Sequence, residues 1–412
     1  MQESAFCLPR IHSLWLVITD MLVREAASQH DINTSSGKKH KKNKKASSCE
    51  DDLRNLRNFC EVVIEGSLLL SSHDRKHLAF SILLSLLPKL SPSAIQLVLS
   101  SKVVHGLMDI LSNESSWLYN AGKHFLKELV SVASHDNDRC AAVIINLQKY
   151  SGGRFDSMTK TKIVKELVGK FHNVEDCLYL VQNLMALFVD EESVTDEPSD
   201  QSQTTDENSE IGPSEEQELL GQGNTDLLKS WVVNTISCVL KNLKLTSKGN
   251  SDSEMAKCIE EKFQVQTEIL KFLAVQGLFS ASLGTEVTSF ELQEKFKWPK
   301  NPISTSLRKE CIEQLQFLLE DAQKDEALHV PSEVKSNDLG YYLMRFINTV
   351  CNIPSVTLFR TLSGNDDNAF KKLMAVESML FHEVCNCLCS SLLTSYVLCF
   401  PFLVGLQDGL AK

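Results

Sequence analysis

An all-α chain built as an array of helix pairs follows from three observations. Apolar residues recur at spacings of three and four through almost every structured stretch, which marks one face of a helix. Only 17 Gly and 10 Pro occur in 412 residues, too few for the tight turns of an all-β chain. Hardly any stretch reads as a strand, while periodic segments of about 12–20 residues alternate with short turns and pair at roughly 40-residue intervals. That pattern predicts an irregular HEAT- or armadillo-like helical repeat array, an α-solenoid interrupted by disordered linkers. A large irregular helical bundle is the alternative.

Each element has its own warrant. A helical segment is expected within 1–32. Leu53, Leu56, Phe59, Cys60, Val63, Ile64 and Leu68 form one apolar stripe and predict a helix there. Ser71–Asp74 is a turn, with Asp74 placed to cap a second helix through Leu78, Phe80, Ile82, Leu83, Leu86 and Leu87, closed by Pro88 and Pro92. Helices follow over 94–99 and 103–111. Ser115 or Ser116 starts another that carries Trp117, Leu118, Ala121, Phe125, Leu129 and Val132. Further helices are predicted over 138–147, 159–171 and 174–189, and then over 227–243, 258–278, 304–319 and 339–350.

Three segments break the pattern. Residues 33–52 are polar and Lys-rich, 190–224 are acidic and almost without large apolar groups, and 384–407 hold no charged residue. The first two cannot bury enough surface to offset the entropy of ordering, so both are expected to be disordered. The organisation is therefore a helical segment over 1–32, a Lys-rich loop over 33–52, helical repeats over 53–189 and an acidic linker over 190–224. Helical repeats resume over 225–377, and an apolar, Cys-rich end covers 378–412.

Charge is distributed as unevenly as structure. The formal net charge is -11, from 42 Lys+Arg against 53 Asp+Glu. Fifteen of those acids and no base fall between positions 171 and 228, so the rest of the chain carries 42 bases against 38 acids. An acidic average thus does not exclude a polyanionic partner. Thirteen Cys without disulfide-framework spacing, and no basic-then-apolar opening, point to thiols in a reducing compartment.

Two basic patches are candidate sites. Lys38, Lys39, Lys41, Lys42, Lys44 and Lys45 repel one another and stay solvated, which suits nuclear import or contact with phosphate backbones. Lys149, Arg154, Lys160, Lys162, Lys165 and Lys170 surround a turn and a helix start that Thr159 or Thr161 can cap, opposed by Asp156 and Glu166. Arg154, Lys160, Lys162 and Lys165 are the candidates for phosphate contact there. A solvated charged face is the competing reading for both.

Catalytic chemistry is not expected. Most clustered acids lie in the linker, which cannot hold two metal ions against a triphosphate. Asp136 and Asp138 follow a helix end and read as a cap, and no phosphate-binding glycine loop or nucleophile elbow is present. His382, Cys385, Cys387 and Cys389 resemble a metal cluster, but the C-x-C-x-C spacing within an apolar run reads as buried thiols. No cofactor, metal or small-molecule substrate is expected. The run over 384–407 is long enough to span a bilayer, yet its Asn386, Ser390, Ser391, Thr394, Ser395 and Pro401 favour a packed or aberrant end over a membrane anchor.

Several stretches resemble the DNA polymerase V family, also called the polymerase phi or Myb-binding protein 1A-like family, and look most similar to its plant members. Residues 155–162, Phe-Asp-Ser-Met-Thr-Lys-Thr-Lys, match its F-D-x-x-T-K-T-K signature. Residues 86–90, 117–122, 272–279 and 290–299 match as well, so the resemblance covers about 8–377. It implies a nucleolar helical-repeat protein that associates with ribosomal DNA and regulates ribosomal RNA transcription and ribosome biogenesis. Its partners would be ribosomal DNA or chromatin, held by non-specific phosphate contacts, and nuclear transcription or ribosome-assembly proteins. A protein-interaction scaffold without DNA contact is the alternative, and a DNA-directed DNA polymerase, as the family name suggests, the remote one. Family chains are longer at both ends, so a partial form is implied. The apolar end after Glu377 departs from the family pattern and suggests a translated intron or a different exon.

Overall fold

The computed structural model describes residues 11–27, 47–190, 215–243, 252–281, 287–299, 302–328, 339–353 and 355–358. The described chain is all-α, with fifteen α-helices and one two-stranded ladder. It divides into two compact units, Met1–Lys170 and Phe171–Lys412. The Lys run 38–45, residues 191–214 of the acidic stretch and everything past 358 lie outside the described residues, including the cluster at 382–389 and the apolar run over 384–407.

In the first unit, α1 (Ser13–Ala27) turns Trp15 edge-on to Phe59 at 6.4 Å and pairs Asp20 with Lys89. Next, α2 (Ser47–Phe59) runs without a break into a π-helix, Cys60–Leu68, which closes with the Leu69 amide donating to the Ile64 carbonyl at 2.9 Å. The reason lies in the stripe. Leu56, Cys60, Ile64 and Leu68 are all buried and lie four apart. An α-helix of about 3.6 residues per turn rotates such a row steadily off the core, and the wider π turn rotates it back.

Helix α3 (His73–Leu86) buries Phe80 against Phe125, edge-on at 5.1 Å. Its N-cap is Ser72, and Asp74 stands in the first turn, where it favours the helix dipole without capping the end. Pro88 sits in the 3-10 turn that ends α3. Pro92 opens α4 (Pro92–Val98) rather than closing the preceding helix, with the Ser91 hydroxyl accepting from the Ala94 amide at 3.3 Å. Helix α5 (Ser101–Ser112) is capped in the same way by Ser100, and α6 spans Tyr119–Ala133.

The start of α6 differs from the sequence expectation. The hydroxyl of Ser116 accepts from the Leu118 amide, so a turn occupies these residues and Trp117 stands outside the helix, 74% exposed. Inside α6, Gly122 lets the backbone approach α5 closely, since a Cβ there would lie 3.1 Å from Ile110 Cγ2. Helix α7 (Asn137–Ser151) begins at Asp136, whose carboxylate accepts from the Asp138 amide at 3.1 Å, the capping role its position predicts. In place of one helix over 159–171 there are two short ones, α8 (Phe155–Thr159) and α9 (Ile163–Val168).

In the second unit, α10 (Val174–Val189) is capped by the Asn173 side chain, which accepts from the Asp176 amide at 2.8 Å. Helix α11 (Glu215–Asn242) begins inside the stretch read as acidic linker. Helices α12 (Asp252–Leu278) and α14 (Thr305–Leu328) pack closely, and a Cβ on Gly277 would stand 3.0 Å from Ile312 Cγ1. Helices α13 (Val287–Phe296) and α15 (Leu339–Cys351) complete the unit, with Phe346 of α15 meeting Phe296 at 6.1 Å.

Strands β1 (Phe279–Ala281) and β2 (Val356–Leu358) pair antiparallel, Phe279 opposite Leu358. The sequence reading anticipated neither strand nor α13. Arg308 joins these parts. It is buried and donates from Nη1 to the carbonyls of Gln276 and Phe279 at 3.1 and 2.8 Å, and from Nη2 to the Ser280 hydroxyl at 3.3 Å. Burial holds its pKa below the usual guanidinium value. The buried side chain of Gln276 donates in turn to the Lys297 carbonyl at 2.7 Å. Segments 272–279 and 290–299, two of those that resemble the family, therefore meet in one hydrogen-bonded joint.

Candidate nucleic-acid interface

The second basic patch is built around the end of α7. Gly152 closes that helix in the left-handed region, φ 58°, and Gly153 follows at φ 77°, with its amide donating to the Gln148 carbonyl at 2.9 Å. Only glycine takes two such residues in succession without strain. The buried side chain of Gln148 then accepts from the Phe155 amide at 3.3 Å and the Ser151 hydroxyl at 3.1 Å. One side chain thus fixes both sides of the turn, and Phe155 enters the core fully buried.

From Phe155 the chain ties itself together. The Thr159 hydroxyl donates to the Phe155 carbonyl at 2.7 Å and lies 2.8 Å from that of Thr161. Lys160 adopts φ 53°, ending α8 after a single turn. Asp156 then does what Thr159 and Thr161 were expected to do. Its carboxylate accepts from the amides of Val164 and Lys165 at 3.1 and 3.0 Å and from the Thr161 hydroxyl at 3.2 Å. The amides that were to attract a phosphate are already occupied by an internal anion.

Asp156→Ala is therefore expected to lower stability by about 1–2 kcal/mol through the lost cap. Chemical denaturation checks this, with Asp156→Asn retaining part of the stability because its amide oxygen still accepts.

This wiring leaves the bases outside. Arg154, Lys160, Lys162 and Lys165 are all exposed and lie within one short segment. Lys170 instead donates to the Ser134 hydroxyl at the end of α6, and Lys149 is half-buried. The structure thus brings together the four bases singled out for phosphate contact and gives the other two different surroundings. No periodicity marked Gln148 or Asp156 as the organisers. The one available signal was an Asp in the first turn of an F-D-x-x-T-K-T-K segment.

Four of the described cysteines lie in the core. Cys60, Cys140 and Cys177 are buried, and burial raises their thiol pKa values to about 12, 12 and 11. Burial likewise raises Cys311, whereas Cys238 is exposed. Among the described residues no three His, Cys, Asp or Glu side chains converge as a metal site. No single described helix is long and apolar enough to cross a membrane.

No curated protein and no solved structure matches the chain. The family model for DNA polymerase phi matches residues 1–386, past Glu377, where the sequence reading ended the resemblance. That span contains both organised motifs, the α8–α9 segment and the Arg308 joint, and the chain belongs to the DNA polymerase phi family.

Proposed function

We propose that this chain is a non-enzymatic helical scaffold of the nucleolus. It would hold ribosomal DNA or chromatin by phosphate contacts and carry transcription or ribosome-assembly proteins, so regulating ribosomal RNA transcription and ribosome biogenesis. The observation that supports DNA contact is the arrangement at α8–α9. The Asp156 carboxylate is engaged by three hydrogen bonds from its own motif, while Arg154, Lys160, Lys162 and Lys165 stay in solvent, opposed by the exposed Glu166. Such point charges neutralise backbone phosphates and release counterions without reading sequence.

The test is salt-dependent binding to duplex DNA. Replacing all four bases with Gln is expected to flatten the slope of log affinity against log salt by up to roughly 0.9 per base, equally on unrelated duplexes. An unchanged slope removes this edge from the reading, and the same experiment on a variant with Lys38–Lys45 neutralised isolates that run. Incorporation of nucleotides on a primed template by the highly purified chain would overturn the non-enzymatic assignment. Exclusion of a tagged chain from the nucleolus would overturn the localisation.

A second reading, a protein-binding scaffold without DNA contact, is favoured by the surface beside α5. Leu70 and Trp117 are the most exposed large apolar residues described, at 77% and 74%. Their chain neighbours Leu69 and Leu118 line one depression together with Ile110 and the polar side chains of His73, Lys76, Asp109 and Ser116.

A further inference from the structure

We propose that Ser157 is a phosphorylation site for an arginine-directed serine/threonine protein kinase, and that the phosphate switches off the basic edge formed by α8 and α9. The second half rests on the DNA-binding reading above. The first half does not.

Segment 155–162 holds three hydroxyls, and the structure separates them. Thr159 is buried, with its hydroxyl bonded to the Phe155 carbonyl and close to that of Thr161. Thr161 donates to the Asp156 carboxylate that caps α9. Ser157 is exposed, and its one described bond is to the Arg154 carbonyl of its own turn at 2.9 Å, which it can surrender without uncovering a buried group.

The surroundings of Ser157 fit the kinase class. Arg154 stands three residues before it and is exposed, the spacing at which the carboxylates of such kinases select a guanidinium in their substrates. Met158 follows directly and is also exposed, an apolar side chain for a shallow pocket. Helix α8 is a single turn of five residues, but opening it also draws the buried Phe155 from the core and Asp156 from the α9 amides, so labelling of the folded chain is expected to be slow.

The chemistry balances with ATP as co-substrate. The Ser157 oxygen attacks the γ-phosphorus, its proton passes to the catalytic carboxylate of the kinase, the bond from that phosphorus to the β–γ bridging oxygen breaks, and ADP leaves. The electrostatic consequence follows from local charges. Arg154, Lys160, Lys162 and Lys165 outnumber Asp156 and Glu166 by two. A phosphoserine adds roughly -1.5 to -2 and brings the segment close to neutrality.

The experiment treats the full chain with an arginine-directed kinase and Mg-ATP, maps the phosphate by mass spectrometry, and follows duplex DNA binding by fluorescence anisotropy at low and physiological salt. Phosphate is expected on Ser157 and not on Thr159 or Thr161. Arg154→Gln should reduce labelling about tenfold through loss of the paired guanidinium. The labelled chain should bind duplex roughly tenfold more weakly at low salt, whereas kinase treatment of Ser157→Ala leaves binding unchanged. No phosphate at Ser157, or labelling indifferent to Arg154, overturns the site. A labelled chain that binds like the unlabelled one overturns the switch. A chain that takes phosphate at Ser157 but never binds duplex sinks the DNA reading and the switch together, and upholds the modification site.

Discussion

Phe155→Ala is expected to destabilise the chain by about 3–5 kcal/mol, the range for removing a fully buried aromatic side chain from a packed core. The residue is more than filler. Its amide donates to Gln148, and its carbonyl accepts from Thr159, so the ring anchors a turn whose polar groups are satisfied around it. Removing the ring should loosen α8 and α9 from the first unit and let Arg154, Lys160, Lys162 and Lys165 move independently. Chemical denaturation measures the first effect, and a weaker salt-dependent affinity for duplex measures the second. Phe155→Leu retains most of the buried apolar surface and should lose much less. A change under about 1 kcal/mol for Phe155→Ala would show that the turn stands without its anchor.

Arg308→Met is expected to cost about 2–4 kcal/mol. Methionine fills much of the same space, but it leaves the carbonyls of Gln276 and Phe279 and the hydroxyl of Ser280 without the guanidinium that serves all three. Buried acceptors stripped of their donor bear their own desolvation penalty, which is why the apolar swap does not rescue. Arg308→Lys should lose stability too, since a point-like ammonium cannot span acceptors arranged for a planar fork. Faster hydrogen exchange at the β1–β2 amides would accompany the loss. Unaltered protection there, with unaltered stability, would show that the joint does not depend on Arg308.

Much of the helical architecture was legible. The apolar periodicity over 174–189 coincides with α10, and that over 339–350 with α15, which runs one residue further. The Asp136 cap and the buried stripe of Leu56, Cys60, Ile64 and Leu68 were also visible, because a cap and a stripe are local features carried by spacing alone. The readings that missed have a common cause. A helix over 159–171 was expected from its pattern, but Lys160 sits at positive φ and Asp156 holds the next helix start from eight and nine residues away. Trp117 fitted an amphipathic face, yet the turn at Ser116 leaves it in solvent. Strands β1 and β2 are three residues each and pair across more than seventy positions, which no short window can register.

The candidate interface divides along the same line. Its bases were evident from composition, while the capping of α9 by Asp156 and the anchoring by Gln148 and Phe155 were not. By itself, the sequence determined the helical class, the positions of most helices, the uneven charge and the family signature, all of which depend on residues close along the chain. Only the tertiary structure decided which groups became buried. It set the Asp156 carboxylate on the amides of α9, left Ser157 and four bases in solvent, and buried Arg308 at the end of α12. Burial is settled by neighbours distant in sequence, and hydrogen bonds such as those of Asp156 by irregular turns, and no periodicity encodes either.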